Sequence, residues 1–106
     1  MKVKVIKTDS YTKLSVFGSI SHENTQKLSS QLETIADGSG KVAVIDFAGT
    51  NMIDSSGLGM LIYNQKRLKE LGGEIIFMGI QGYVRQIVED AALNKIFRVI
   101  ENEGEI

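Results

Sequence analysis

The run Val42 to Ile45 reads Val-Ala-Val-Ile without a polar residue and stops at Asp46. A strand that is apolar at every position has no face to give to water. It is the pattern of a strand covered on both sides, as in a parallel sheet with crossover connections. Glu74 to Met78 has the same character after its first residue. Two such strands in a chain of 106 residues demand a layered α/β arrangement, and the length suits one domain spanning residues 1–106 with a single hydrophobic core.

The segments around these strands supply the rest of the layers. Lys2 to Lys7 alternates, with Val3 and Val5 opposite Lys2 and Lys4 and with Ile6 breaking the pattern. Lys13 to Phe17 is a second strand with Leu14 and Val16 on one face, and the short turn between the two predicts an antiparallel hairpin. Leu28, Leu32, Ile35 and Ala36 recur at helical spacing within Glu23 to Ala36, with Ser21 as the expected N-cap and Asp37 to Gly40 as the stop. A second helix is predicted over Ser56 to Leu71, with Leu58, Leu61, Ile62 and Leu68 on its apolar face, ended by Gly72 and Gly73. A third spans Tyr83 to Ala92, with Val84, Ile87, Val88 and Ala91 at helical spacing. Ile96 to Ile100 reads as an edge strand and the acidic Glu101 to Ile106 as a frayed tail. The predicted order is β-β-α-β-α-β-α-β, a mixed, mainly parallel sheet with helices mainly on one side.

Composition narrows the function. There is no cysteine, so disulfides, thiolate metal sites and thiol nucleophiles are excluded. The net charge of −1, with both signs interspersed, leaves no broad basic field for nucleic acid. The alternating N-terminus is not a signal peptide, and no apolar run is long enough to span a membrane, so the expected location is the cytoplasm.

The segment Asn51 to Met60, Asn-Met-Ile-Asp-Ser-Ser-Gly-Leu-Gly-Met, stands apart. Asp54 or Ser55 can cap the helix that follows, and Gly57 and Gly59 can allow close packing on the sheet. A cap alone does not require two glycines in the first turns, each of which costs up to roughly 1 kcal/mol against alanine. The position suggests a site, because the segment leaves the C-terminal end of a central strand and enters a helix, the edge where open α/β sheets bind their ligands. Backbone N–H groups at a helix start favour a phosphoryl group, and small neighbours leave a serine hydroxyl open to another protein.

Catalytic patterns fail here. The nucleophile elbow needs glycine where Asp54 stands two residues before Ser56, and no Lys-Ser/Thr pair follows the glycines as a phosphate-binding loop requires. The lone His22 and the carboxylates Asp46 and Asp54 do not assemble a catalytic or metal-binding set, so no cofactor, no metal and no enzymatic activity are expected.

The stretch from Val42 to Ile80, with an apolar strand ending in Asp46, then Asp-Ser-Ser-Gly-Leu-Gly at residues 54–59, a helix, Gly72-Gly73 and another strand, resembles the signature region of the STAS domain and in particular the bacterial anti-sigma factor antagonists. The similarity extends over nearly the whole chain. It implies a partner switch. Ser55 would be the phosphorylation site. The unphosphorylated form would bind an anti-sigma factor that is also a serine kinase and so release a sigma factor. Phosphorylation would end binding, and a serine phosphatase would restore it.

In that reading Asp54 orients the loop, Ser56 and Gly57 supply donors and space, and Gly59 permits close approach. Leu58, Met60, Tyr63, Arg67 and Ser21 complete the partner-binding set, with Met60, Tyr63 and Arg67 on the helix face away from Leu58, Leu61 and Leu68. Two departures from the family stand out: Ser21 occupies a place where many relatives carry Asp, and Glu101 to Ile106 is too short and acidic for the further C-terminal helix of many relatives. A monomer without direct nucleic-acid or membrane contact is expected. The alternatives are a STAS scaffold or regulatory subunit of a larger complex, in a stress-sensing assembly or beside a transporter, and a small-ligand or nucleotide-binding module.

Overall fold

A computed structural model describes residues 1–38 and 40–106; Ser39, within the turn predicted over Asp37 to Gly40, lies outside the described residues. The chain forms strands β1 (Lys2–Lys7) and β2 (Thr12–Ile20), helix α1 (Thr25–Asp37), strands β3 (Val42–Asp46) and β4 (Thr50–Ile53), helix α2 (Ser55–Glu70), strand β5 (Glu74–Met78), helix α3 (Gly82–Asp90) and strand β6 (Arg98–Ile100). Short 3-10 turns at Leu93–Lys95 and Glu103–Glu105 flank β6.

The two apolar runs become the centre of the sheet. β3 and β5 pair in parallel, Val42 opposite Glu74 through Asp46 opposite Met78. Ala43, Ile45, Ile75 and Phe77 face the helices and join the main core, while Val44, Ile76 and Met78 face the other side and form a smaller cluster with Ile100. The order across the sheet is β1-β2-β3-β5-β6, antiparallel only between β1 and β2. Leu28 and Leu32 of α1, Leu61 and Leu68 of α2, and Val84 and Val88 of α3 all enter the same core, so all three helices lie against one face of the sheet. Phe77 stacks on Phe97 with ring centroids 4.1 Å apart and meets Phe47 edge to face at 4.8 Å, tying β5 to the chain on either side.

The sequence pattern did not show β4. Thr50–Ile53 pairs in parallel with Gly18 to Ile20, the far half of β2, past a bulge between Gly18 and Ser19. The nine-residue β2 is thus shared along its length: Thr12 to Ser15 pair with β3 and Gly18 to Ile20 with β4. Helix α1 begins later than expected. Ser21 is not its cap; Asn24 stands at the N-cap, and its side chain turns back to accept from the Ser21 N–H at 2.8 Å and donate to the Ser19 carbonyl at 2.8 Å.

Two further differences concern packing. Ile62, expected inward, is 39% exposed, whereas Asn64 and Gln65 are buried. Gln65 is admitted because both ends of its amide are used: its oxygen accepts from the Ile75 N–H at 2.6 Å and its nitrogen donates to the Ile96 carbonyl at 2.9 Å. The segment Glu101 to Ile106 is not frayed. Asn102 caps a 3-10 turn, and Glu105 closes the box by accepting from the Asn102 N–H. Glu103 bonds to Tyr11 Oη and sits 2.5 Å from Lys13 Nζ. This short turn docks on the sheet face opposite the helices.

Two predictions follow from these packing features. Gln65→Leu leaves the Ile75 N–H and Ile96 carbonyl without their partner and should cost about 1–3 kcal/mol. Urea denaturation measures this, and an unchanged midpoint contradicts it. The Glu103 carboxylate holds the Tyr11 hydroxyl proton and raises its titration above the ordinary tyrosine value, so Glu103→Gln should bring one of the three tyrosines back down in an ultraviolet pH titration. Three unchanged tyrosine curves would show that the tail does not hold Tyr11 in solution.

Candidate functional site

The site is built by the end of β4 and the start of α2. The Asp54 N–H donates to the Ile20 carbonyl at 3.0 Å, which anchors the residue to the end of β2. With its backbone extended, Asp54 takes the N-cap position, and Oδ1 accepts from the Gly57 N–H at 2.9 Å. Its second oxygen, Oδ2, accepts from the His22 N–H at 2.9 Å. One carboxylate therefore holds both the start of α2 and the turn that precedes α1. These two N–H groups, Gly57 first and then His22, hold the Asp54 carboxyl below its usual range.

Ser55 is the first residue of α2 and is exposed. Ser56 behind it is half-buried. The two glycines divide in purpose. A Cβ on Gly57 would fall 2.9 Å from methyl carbons of both Ile20 and Ile53, so only glycine lets the helix start lie this close to β2 and β4. A Cβ on Gly59 would meet nothing within 4 Å. Internal packing thus explains Gly57 and leaves Gly59 unexplained, an exposed glycine one turn below Ser55.

The remaining candidates are placed as follows. Leu58 and Met60 are half-buried and pack on the edge of the core. Tyr63, two turns below Ser55, is 60% exposed, and Ile62 beside it, which the sequence reading put inward, extends the same outer surface. Ser21 lies in the turn that Asp54 ties to α2. Arg67 stands apart from the group. It is about 18 Å along the axis from Ser55, and it faces α1, with Glu33 at 3.9 Å and Asp37 at 3.8 Å. Asp46 and Asp54 serve separate turns, since Asp46 Oδ1 accepts from the Ala48 N–H at 3.0 Å. Sequence reasoning missed Asn24, whose side chain braces the turn beside Asp54; the Ser-x-x-Asn spacing from Ser21 was its signal.

The arrangement offers a serine hydroxyl to solvent on a braced helix start, ringed by small residues. Its stability depends on pH. Because the folded-state value of Asp54 is depressed, its contribution is complete above the ordinary carboxylate range and is lost as pH falls through the folded-state value. Asp54→Ala should be less stable than wild type at neutral pH, with the gap narrowing in acid. Urea midpoints for both proteins at neutral pH and in acid test this, and a gap independent of pH contradicts it.

The chain matches the STAS domain across residues 2–106. It is 26% identical over 106 residues to the anti-sigma-B factor antagonist of Listeria monocytogenes, covering 100% of this chain and 92% of that one. Its fold is shared with the anti-sigma factor antagonist SpoIIAA in its unphosphorylated form, at a TM-score of 0.83 and 20% identity over 98% of this chain and 91% of that one. The phosphorylated form of SpoIIAA from Bacillus matches at a TM-score of 0.76 and 19% identity, over 98% and 95% of the two chains. No helix among the described residues is long and apolar enough to cross a membrane. On the match over residues 2–106, the chain belongs to the STAS domain family.

Proposed function

We propose that the chain is an anti-sigma factor antagonist that works by partner switching, with Ser55 as the residue phosphorylated. Its partner is an anti-sigma factor with serine kinase activity, and a serine phosphatase reverses the modification. The protein is the ligand and substrate in this cycle rather than a catalyst. The observation that carries the reading is the exposed Ser55 hydroxyl at the first position of α2, next to a cap held by two hydrogen bonds and one turn above the open Gly59. The relatives named above as antagonists of anti-sigma factors support it.

The physics of the switch is local. Phosphorylation adds about −1.5 to −2 charges. At a helix start the free N–H groups and the dipole tolerate that charge, so the domain has no reason to unfold. In a packed interface the same group brings desolvation and repulsion from facing carboxylates. A loss of about 1.4 kcal/mol already weakens binding tenfold. Asp54 sets the position of Ser55, Ser56 follows it in the first turn, and Gly57 gives its N–H to Asp54 and its space to the close contact with Ile20 and Ile53. Gly59 lets a partner approach the helix, while Leu58, Met60, Tyr63 and Ser21 border the contact. Arg67, engaged with α1, serves at most its far rim.

The test is a pull-down from lysate of the source organism with wild type, Ser55→Ala and Ser55→Glu, in Mg-ADP and in Mg-ATP. A kinase-type anti-sigma factor should be retained by wild type and Ser55→Ala in ADP. Ser55→Glu should bind it about tenfold more weakly or not at all. In ATP only Ser55→Ala should escape phosphorylation and keep the partner. If all three baits hold the same partners in both nucleotides, Ser55 is not a switch and the chain acts as a fixed subunit of a larger complex.

A further inference from the structure

The sheet face opposite the helices carries a second feature. Leu14 and Val16 of β2 are buried under the helices, so Lys13, Ser15 and Phe17 stand on the other face. The antiparallel register sets Lys2 opposite Phe17, Lys4 opposite Ser15 and Ile6 opposite Lys13, which brings all of them to one surface. Phe17 is 45% exposed there and Ile6 38%. Lys2, Val3, Lys4 and Phe17 line an open recess of about 450 Å³.

Protection of a sheet edge explains part of this. β1 pairs only with β2, and lysines on such a strand discourage pairing with another chain. That accounts for Lys2, Lys4 and Lys7 but not for Phe17, which stands on β2 opposite Lys2. The ring rests on bare backbone: a Cβ on Gly49 would lie 2.4 Å from Phe17 Cδ1. Its outer surface remains open, in the manner of an interface anchor.

The same face already holds an acidic segment. Glu103 of the C-terminal turn is seated on Lys13 and Tyr11, and Arg98 donates to the Glu105 carbonyl. The carboxylates of that face are engaged: Glu103 by Lys13, and Asp46 by the Ala48 N–H and the Ser15 hydroxyl. Among the described residues, the ion pairs involve neither Lys2 nor Lys4. The ammonium groups of Lys2 and Lys4, which line the recess with Phe17, are therefore without a carboxylate partner among the described residues.

We infer that this face is a second docking surface, which takes an acidic segment of a partner protein with an apolar side chain on Phe17 and carboxylates at Lys2 and Lys4. It is independent of Ser55. The occupant has the chemistry of the chain's own tail, with an aromatic or aliphatic group in place of the contact Glu103 makes with Tyr11.

Nitrogen-15 labelled protein would be titrated with two synthetic peptides of equal length, one with glutamates around a central phenylalanine and one with those glutamates replaced by lysines. The acidic peptide should shift the amides of residues 2–6 and 13–17 saturably at millimolar concentration or below. The double variant Lys2→Glu/Lys4→Glu should weaken this binding about tenfold or more, as should Phe17→Ser, with spectra of both variants confirming the fold. Ser55→Ala should bind the peptide as wild type does, so this surface and the phosphorylation switch stand or fall separately. The inference is overturned if no saturable shift appears, if the shifts map elsewhere, or if the lysine peptide binds equally well. It is also overturned if anionic phospholipid vesicles bind this face while the acidic peptide does not.

Discussion

The Asp54 carboxylate is the joint on which the site depends. Its two oxygens accept from backbone N–H groups 32 residues apart in the case of His22 and three apart in the case of Gly57. The first bond brings the turn before α1 to the edge formed by β4. The second starts α2 at Ser55. Gly57 completes the joint by letting the helix start touch Ile20 and Ile53. With these contacts made, Ser55 needs no further arrangement to be presented. The polar and small residues of the segment therefore have separate tasks: Asp54 and Gly57 build the edge, and Ser55 and Gly59 are left free on it.

That division bears on how a charge at Ser55 would act. A switch that worked by unfolding α2 would have to break the Asp54 bonds and the core contacts of Leu61 and Leu68. A switch that works through an interface has only to change what a partner meets. We favour the second route, because the dipole of a helix start tolerates negative charge, whereas a packed protein surface does not. The docked C-terminal turn is held to Lys13 on the other face of the sheet, where Tyr11 and Val42 pack against Val44, Ile76, Met78 and Ile100. The two faces are thus free to serve different contacts.

The sequence made much of this legible where the determining interactions are local or periodic. The continuous apolar runs located β3 and β5 at the centre, and alternation gave the β1–β2 hairpin. The cap at Asp54 was legible because the bond from the Gly57 N–H is decided within four residues, whereas the close approach of Gly57 to Ile20 depends on a distant strand. β4 was hidden because it has only four residues, two of them exposed, and exists by pairing with the far end of β2. Asn64 and Gln65 were hidden because a buried amide is tolerated only through distant partners, here Ser29, Ile75 and Ile96. The outward turn of Ile62 is the other side of the same substitution. Arg67 shares a helix with Ser55, but its ion pairs direct it to α1, a placement that spacing along one helix cannot show.

The central claim is that the edge around Ser55 is preformed and that phosphate changes the partner's binding rather than the fold. Amide hydrogen exchange on the protein with serine and with phosphoserine at position 55 tests it most directly. Unchanged protection at His22, Gly57 and along α2, with differences confined to the residues next to Ser55, is the result this account predicts. Loss of protection spreading through α2 or into the turn before α1 would show that the phosphate acts by opening the domain, and would contradict it.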